Sequence, residues 1–178
     1  MDKKNLTAEE TYVLAVQNQQ KNNFQVAENL YKEVLKINPN HFESIFYLGS
    51  LSLQTKKFDV AKSLLEKAIK IRPNFARAHN NLGIVFGELG QSEKAKSHFK
   101  KAIKIQPDHA NAHNNLGIVF KVLGEHQKAI SCYQNAIKIN PNYADAHNNL
   151  GTAFKAVGDH QKAINCFQNA LKINPDLI

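Results

Sequence analysis

The amino-acid sequence predicts an all-α fold, a right-handed α-solenoid built from five helix-turn-helix repeats. The first observation is that the prolines recur at intervals of 34 residues. They are Pro39, Pro73, Pro107, Pro141 and Pro175. The second is that the apolar residues between them return every three or four positions, which is the period of a helix and not of a strand. One such hairpin cannot bury its own apolar face, so stacked neighbours must supply the core.

Counting each proline as position 32 divides the chain into five repeats within one array that spans residues 1–178. The repeats cover residues 8–41, 42–75, 76–109, 110–143 and 144–177. Position 7 is leucine throughout, at Leu14, Leu48, Leu82, Leu116 and Leu150. Position 8 is glycine from the second repeat onward, at Gly49, Gly83, Gly117 and Gly151, and position 20 is alanine, at Ala27, Ala61, Ala95, Ala129 and Ala163. The small residues predict closely approaching helices, and the leucines fill the remaining space.

Helix-ending residues set the order of elements within each repeat. Gly90, Gly124 and Gly158 fall after the first helix of repeats three to five, where glycine can adopt positive φ. The prolines end the second helices. The polar residues that follow them are predicted to cap the next helix, and they are Asn40, Asn74, Asp108, Asn142 and Asp176. Thr7 and Glu10 have the spacing of a capping box for the first helix.

This pattern resembles the tetratricopeptide repeat. The shared features are the 34-residue period, the Leu-Gly pair at positions 7 and 8, alanine at positions 20 and 27, and proline at position 32, and they extend over residues 8–177. The resemblance implies that the first helices line a concave groove and the second helices form a convex surface. It also implies protein binding, although a fold of this kind serves many partners.

In the third to fifth repeats the predicted groove carries paired asparagines at positions 5 and 6. The pairs are Asn80 and Asn81, Asn114 and Asn115, and Asn148 and Asn149. Asparagine forms helices less readily than alanine, so its presence in mid-helix favours a ligand-binding role. Duplication of one neutral segment would also explain it. A side-chain amide can donate to and accept from a peptide backbone. Neighbouring helices lie about 8–10 Å apart, and an extended peptide advances about 3.3 Å per residue. One asparagine would therefore meet roughly every third residue of the peptide.

The asparagines at position 6, namely Asn81, Asn115 and Asn149, are similar to the asparagine ladder of the O-linked N-acetylglucosamine transferases. In that family the ladder grips the backbone of protein substrates. The first two repeats depart from it, with Val13 and Tyr47 at position 6. Asn81 and Arg77 also match single positions of the carboxylate clamp that binds acidic chaperone tails. No three consecutive repeats supply that clamp, so binding of this kind is not expected.

Aromatic side chains occupy the predicted groove in repeats one and two. They are Tyr12, Phe46 and Tyr47, with the acidic residues Glu9 and Glu43 nearby. Partly exposed aromatics on a concave surface can anchor a ligand side chain. Packing by an N-terminal segment or by a neighbouring molecule is the other interpretation, and the sequence leaves both open.

No residue pattern for metal, cofactor or catalytic chemistry is evident. The histidines at position 4 are His79, His113 and His147, and their spacing prevents them from converging on one zinc ion. We interpret them as partly buried packing residues. Cys132 and Cys166 lie in mid-helix without the surroundings of a reactive thiol. We therefore predict no catalytic residue, no metal ligand and no cofactor.

Charge and hydropathy limit the partners. The net charge is +8, but five lysines fall at position 29, in the last turn of each second helix, where a cation complements the helix dipole. Specific nucleic-acid binding is therefore not expected. No apolar run approaches the roughly 18 residues that a membrane span requires. The first ten residues are polar and lack the apolar stretch of a secretory signal. We expect a cytoplasmic protein.

The sequence thus predicts a scaffold that binds a protein or an extended peptide and is not an enzyme. The alternative is a substrate-recruiting domain of a larger enzyme, such as a glycosyltransferase or a sulfotransferase. An engineered array is a further interpretation, because repeats four and five are nearly copies. A polar capping helix is not found after Pro175, which predicts either self-association through the C-terminal end or fraying of the last helix.

Overall fold

The computed structural model describes residues 6–177, and every regular element in this range is an α-helix. The ten helices of this range are α1 Ala8–Gln20, α2 Phe24–Ile37, α3 Phe42–Gln54, α4 Phe58–Ile71, α5 Ala76–Glu88, α6 Ser92–Ile105, α7 Ala110–Val122, α8 His126–Ile139, α9 Ala144–Ala156 and α10 His160–Ile173. Two helices therefore fall in each predicted repeat, and the all-α class is confirmed.

The turn between the two helices of a repeat contains one residue with positive φ. Gly124 has φ of 74° and Gly158 has φ of 82°, as expected from the sequence, and Gly90 has φ of 72°. In the first two repeats the same position holds Asn22, with φ of 61°, and Lys56, with φ of 57°. The left-handed conformation is thus a property of the turn, and the first two repeats adopt it without glycine.

The predicted helix caps are correct for α1 and wrong for α3, α7 and α9. The Thr7 side chain accepts from the amide of Glu10 and the Glu10 carboxylate accepts from the amide of Thr7, which forms the capping box. The α3 helix is capped by His41, whose Nδ1 accepts from the amide of Ser44 at 3.2 Å. Helix α7 is capped in the same way by His109, and α9 begins after Tyr143 without a side-chain cap.

The residue after each proline lies too early to cap because it belongs to a turn. The Oδ1 atom of Asn38 accepts from the amide of Asn40 at 3.1 Å, and Asn140 accepts from Asn142 in the same way at 3.2 Å. The turn therefore extends one residue further than the sequence suggested, and the capping position falls on the second residue after the proline.

The described residues group into two compact units, one up to Val85 and one from Phe86. In the first unit α1 packs on α2, α2 on α3 and α3 on α4. In the second unit α6 packs on α7, α7 on α8, α8 on α9 and α9 on α10. Each unit is therefore a row of antiparallel helices packed onto their neighbours in sequence.

The cores follow the predicted positions. A Cβ atom added to Gly117 would lie 2.5 Å from the Tyr133 ring, and one added to Gly151 would lie 2.6 Å from the Phe167 ring. The alanines at position 20 are fully buried in the first four repeats and 3% exposed at Ala163. Small residues therefore bring the helices close enough for one large side chain to fill each interface.

Candidate peptide-binding surface

In the second unit the position-6 asparagine of repeat five is fastened to repeat four. The Nδ2 atom of Asn149 donates to Oδ1 of Asn114 at 3.1 Å. Asn114, at position 5 of α7, is only 3% exposed, and it also forms a side-chain hydrogen bond with Tyr143. The pKa of Tyr143 is raised by burial and by the charge of Asp145, and this hydrogen bond opposes the rise. The buried amide of Asn114 thus holds the half-buried amide of Asn149 in place.

In the first unit the corresponding asparagine is the middle of a directed chain of hydrogen bonds. Asn80 Nδ2 donates to Oδ1 of Asn81 at 3.3 Å, and Asn81 Nδ2 donates to Oγ of Ser50 at 2.9 Å. The Ser50 hydroxyl donates to the carbonyl oxygen of Phe46 at 2.9 Å. Asn80 is 6% exposed and Asn81 is half-buried. The nitrogen of the position-6 amide is therefore directed at the preceding repeat here as well.

The position-5 and position-6 asparagines differ in exposure. Asn80 and Asn114 are buried, whereas Asn148 at position 5 of repeat five is exposed. The position-6 residues are half-buried in all three repeats, including Asn115. Burial of Asn114 follows from its contact with repeat five, and the sequence did not reveal it. Peptide contact by any of these side chains stays a prediction.

The aromatic residues of the first unit are packed together. Tyr12 and Tyr47 are half-buried, with ring centroids 6.2 Å apart. The expectation of partial exposure is wrong for Phe46, which is 2% exposed. The ring of Phe75 packs edge-on against Phe46 at 4.9 Å, and Phe42 stacks on it at 6.3 Å. Phe46 is therefore part of the core, and Tyr12 and Tyr47 form the accessible aromatic surface.

Arg77 lies beside this aromatic core. Its guanidinium carbon is 5.3 Å from the centroid of the Phe46 ring, and the residue as a whole is exposed. The guanidinium therefore covers the ring while its donors remain available to solvent or a ligand. The structure thus brings Arg77 and Phe46 together, and it places Asn81 on the same helix, α5.

The cysteines are buried, each 9% exposed. Burial raises the pKa of the Cys132 thiol to about 11 and also raises that of Cys166. A thiol held in its neutral form is a poor nucleophile. Among residues 6–177 no group of three or more histidine, cysteine or acidic side chains is arranged to hold a metal ion. Within the same range no helix has the length and apolar character needed to cross a membrane.

Comparison with known proteins agrees with the repeat pattern. Three sequence profiles, each described as tetratricopeptide repeat, match residues 19–82, 76–109 and 108–176. No curated protein sequence matches the chain. The crystal structure of MamA protein superimposes with a TM-score of 0.79 at 27% identity, over 94% of this chain and 92% of that one.

Two further solved structures share the fold at lower identity. MamA 41-end from Desulfovibrio magneticus RS-1 gives a TM-score of 0.82 at 20% identity, over 96% of each chain. YrrB, described as a TPR protein with an unusual peptide-binding site, gives a TM-score of 0.73 at 21% identity, over 96% of this chain and 88% of that one. Repeat proteins of this architecture act through extended binding surfaces, which supports a protein-interaction scaffold. Because the three profiles together extend from residue 19 to residue 176, the chain belongs to the tetratricopeptide repeat family.

Proposed function

We propose that the chain is a scaffold that binds an extended peptide by its backbone, through the position-6 asparagines of its first helices. The observation that carries the proposal is the fixed orientation of Asn149. One hydrogen of its Nδ2 is used on Asn114. The Oδ1 atom, which has two lone pairs, and the second Nδ2 hydrogen remain for a ligand.

A pre-oriented amide suits a peptide backbone. It accepts from a peptide N–H through Oδ1 and donates to a peptide carbonyl through Nδ2. Because the side chain is already held in the free protein, less conformational entropy is lost when a ligand binds. Asn114 serves this arrangement as the buried support, with Asn149 as the contacting residue. In the first unit we propose Asn81 as the contacting residue, which Ser50 and the buried Asn80 hold in place by hydrogen bonds.

The other predicted residues add proposed contacts within each unit. Asn115 occupies position 6 of repeat four, and Asn148 is exposed beside Asn149. In the first unit Arg77 offers charged donors to peptide carbonyls, and Tyr12 and Tyr47 offer aromatic surface. Phe46 contributes by holding Arg77 and not by contact with the ligand, since it is buried.

The experiment that tests the proposal uses a 12-residue peptide selected from a random displayed library against the intact chain. Each peptide nitrogen is methylated in turn, and each side chain is replaced by alanine in a parallel series. If Oδ1 atoms accept from peptide N–H groups, methylation should weaken binding at some positions by about 2- to 12-fold, the value of one hydrogen bond. These positions should recur roughly every third residue.

The matched variants are Asn149→Ala on α9 and Asn135→Ala on α8. Both remove one side-chain amide, and Asn135 is exposed on a second helix. Only Asn149→Ala should weaken binding of the peptide. In this variant, methylation at one peptide position should no longer affect the affinity. Binding that responds to alanine substitution alone, with no methylated position affected, would show that the backbone is not recognised.

We further propose that a second copy of the chain docks on the outer face of α10. Ile164 is 50% exposed and Leu171 is 42% exposed, whereas Ile130, which occupies the place of Ile164 one repeat earlier, is 6% exposed because α9 packs on α8. Sedimentation equilibrium of Ile164→Asp should show less self-association than Val26→Asp, which introduces the same charge at a side chain 48% exposed on α2. Equal behaviour of the two variants would contradict docking on α10.

A further inference from the structure

Two tyrosine rings, one from the first helix of repeat one and one from the first helix of repeat two, lie side by side in the first unit. Tyr12 on α1 and Tyr47 on α3 have centroids 6.2 Å apart and planes inclined at 47°. The centroid of the His41 ring lies 5.2 Å from that of Tyr12. Tyr31, which is fully buried, stacks on Tyr47 with its plane inclined by only 7°. Tyr12 and Tyr47 are therefore packed against each other and against neighbouring rings, and both remain half-buried.

A carboxylate accompanies each of these tyrosines on the same helix. Glu9 precedes Tyr12 by three residues and Glu43 precedes Tyr47 by four, and side chains at these spacings lie on one helix face. The pKa of Tyr12 is raised by burial, then by Tyr47, and then by the negative charges of Glu43 and Glu9. Both carboxylates therefore act on the Tyr12 hydroxyl, although they belong to different helices.

The same unit already holds a cation between a ring and a carboxylate. The guanidinium carbon of Arg72 is 3.8 Å from the centroid of Phe42, and its Nη2 atom is 2.9 Å from the Glu43 carboxylate. Glu43 is thus partly neutralised by Arg72. Glu9, whose side chain is 72% exposed, is the carboxylate more open to a ligand, with His41 Nε2 at 3.6 Å. At Glu9 and Tyr12 the His41 ring lies near both groups, and the Glu9 side chain is left 72% exposed to a cation from a ligand.

We propose that the tyrosine–glutamate surface, formed by Glu9, Tyr12, Glu43 and Tyr47, binds a lysine or arginine side chain of the partner peptide. A cation attracted to tyrosine faces gains from the ring quadrupole, and a nearby carboxylate adds Coulombic attraction. The exposed Glu9 carboxylate makes this surface complementary to a basic ligand, although the net charge of the chain is +8. The inference rests on the proposed function in one respect, namely that the cation belongs to a bound peptide.

The probes are Nα-acetyl-lysine amide and Nα-acetyl-norleucine amide, whose side chains share four carbons and differ in the terminal ammonium group. They are titrated into the intact chain and followed by nuclear magnetic resonance. The lysine probe should bind at least 5-fold more tightly, and its ε-methylene protons should shift upfield because they lie over the tyrosine rings. Raising the salt concentration should reduce the preference, since the carboxylates are exposed.

The variants separate charge from packing. Glu9→Gln should reduce the preference for lysine, while Glu33→Gln, which makes the same change at an exposed site on α2, should leave it unchanged. Tyr12→Phe keeps the ring and should retain the upfield shift, whereas Tyr12→Leu should lose it. If Tyr12→Leu fails to fold, the comparison of Glu9→Gln with Glu33→Gln still tests whether this surface binds the lysine ammonium group.

Equal affinity of the two probes for the wild-type chain, or equal effects of Glu9→Gln and Glu33→Gln, would overturn the inference. Its failure is distinguishable from failure of the asparagine proposal. In the double variant Asn115→Ala and Asn149→Ala, the lysine probe should bind as it does to the wild type, because it does not depend on those amides. A loss of lysine binding in this double variant would also contradict an independent cation site.

Discussion

The Nε2 atom of His147 lies 3.0 Å from the carbonyl oxygen of Pro141, six residues earlier. A carbonyl oxygen can only accept, so Nε2 carries the proton and donates. The other position-4 histidines repeat the contact at the same distance, from His79 to Pro73 and from His113 to Pro107. These three histidines thus fasten the turns at Pro73, Pro107 and Pro141 to the helices that follow them.

Replacing His147 with phenylalanine should destabilise the chain by roughly 0.5–1.5 kcal/mol, the net contribution of one hydrogen bond. Phenylalanine keeps the ring volume and removes the donor to Pro141. Urea unfolding would measure the change in the free energy of unfolding. His160→Phe is the control, since His160 is exposed on α10, and it should have a smaller effect. Equal losses from both variants would show that the contact with Pro141 contributes nothing.

Gly117→Ala should destabilise the chain by about 1–3 kcal/mol because the new methyl group collides with the buried Tyr133 ring. Gly87→Ala makes the same change on α5, where an added Cβ atom meets nothing within 4 Å. It should stabilise by roughly 0.5–1 kcal/mol, since alanine is the better helix former. Opposite shifts of the thermal midpoint would confirm the difference, and a stabilising Gly117→Ala would contradict the described packing.

The core positions could be predicted from the sequence, whereas the hydrogen bonds between polar side chains could not. Glycine recurs at position 8 from the second repeat onward, so periodicity alone predicted the close approach of the helices at Gly117. The contact from Asn149 to Asn114 joins residues 35 apart in sequence, and it depends on the direction of each side chain between repeats. Periodicity puts both residues on one helix face and does not tell which atoms meet.

Burial of Phe46 and capping by His41 were missed for a related reason. Phe46 is covered by Phe75, a residue outside any helix whose position depends on how the chain turns before α5. The cap moved to His41 because Asn38 closes a turn that includes Asn40. Both outcomes follow from the path of the loop, and a helical pattern carries no information on that path.

Lys56→Gly should stabilise the chain by roughly 1 kcal/mol. Lys56 has φ of 57°, and a residue with a Cβ atom is strained in this left-handed conformation by about 1–2 kcal/mol. Glycine removes this strain but gives back part of the gain through its greater freedom in the unfolded chain. The midpoint of urea denaturation would record the gain.

Gly124→Ala is the reverse change at the corresponding turn, where φ is 74° and no atom lies within 4 Å of an added Cβ. Gly124→Ala should destabilise the chain by a similar amount. The cause would be the positive φ, since the added methyl group meets no neighbouring atom. A neutral result for both variants would show that these turns relax to another conformation without cost.

Glu28 should make stability depend on pH in the acidic range. Hydrogen bonds from Lys32 and Lys57, both at 2.7 Å, lower the pKa of its carboxyl. Because the folded pKa is lower than the unfolded value of about 4.3, the carboxylate stabilises the fold above that value. This stabilisation is lost as the pH falls through the folded pKa.

Glu28→Gln should therefore lose up to about 1 kcal/mol at pH 7 and little at acid pH, where the wild-type carboxyl is also neutral. Glu33→Gln alters an exposed carboxylate of the same helix and serves as the control. Urea unfolding at several pH values would compare the three proteins. A difference between wild type and Glu28→Gln that stays constant with pH would mean that the ion pairs of Glu28 do not contribute.

Two adjacent asparagines on α9 should respond in opposite ways to alanine. Asn148 is exposed, so Asn148→Ala should stabilise by roughly 0.5 kcal/mol through the higher helix propensity of alanine. Asn149→Ala gains the same propensity but removes the donor to the buried Oδ1 of Asn114. An unsatisfied buried acceptor costs about 1–3 kcal/mol, which exceeds the gain, so this variant should be less stable than the wild type. Thermal unfolding of both variants measures the signs. If Asn149→Ala were as stable as Asn148→Ala, the amide of Asn149 would not be anchored on Asn114, and the pre-oriented ladder that we propose for peptide binding would lose its support.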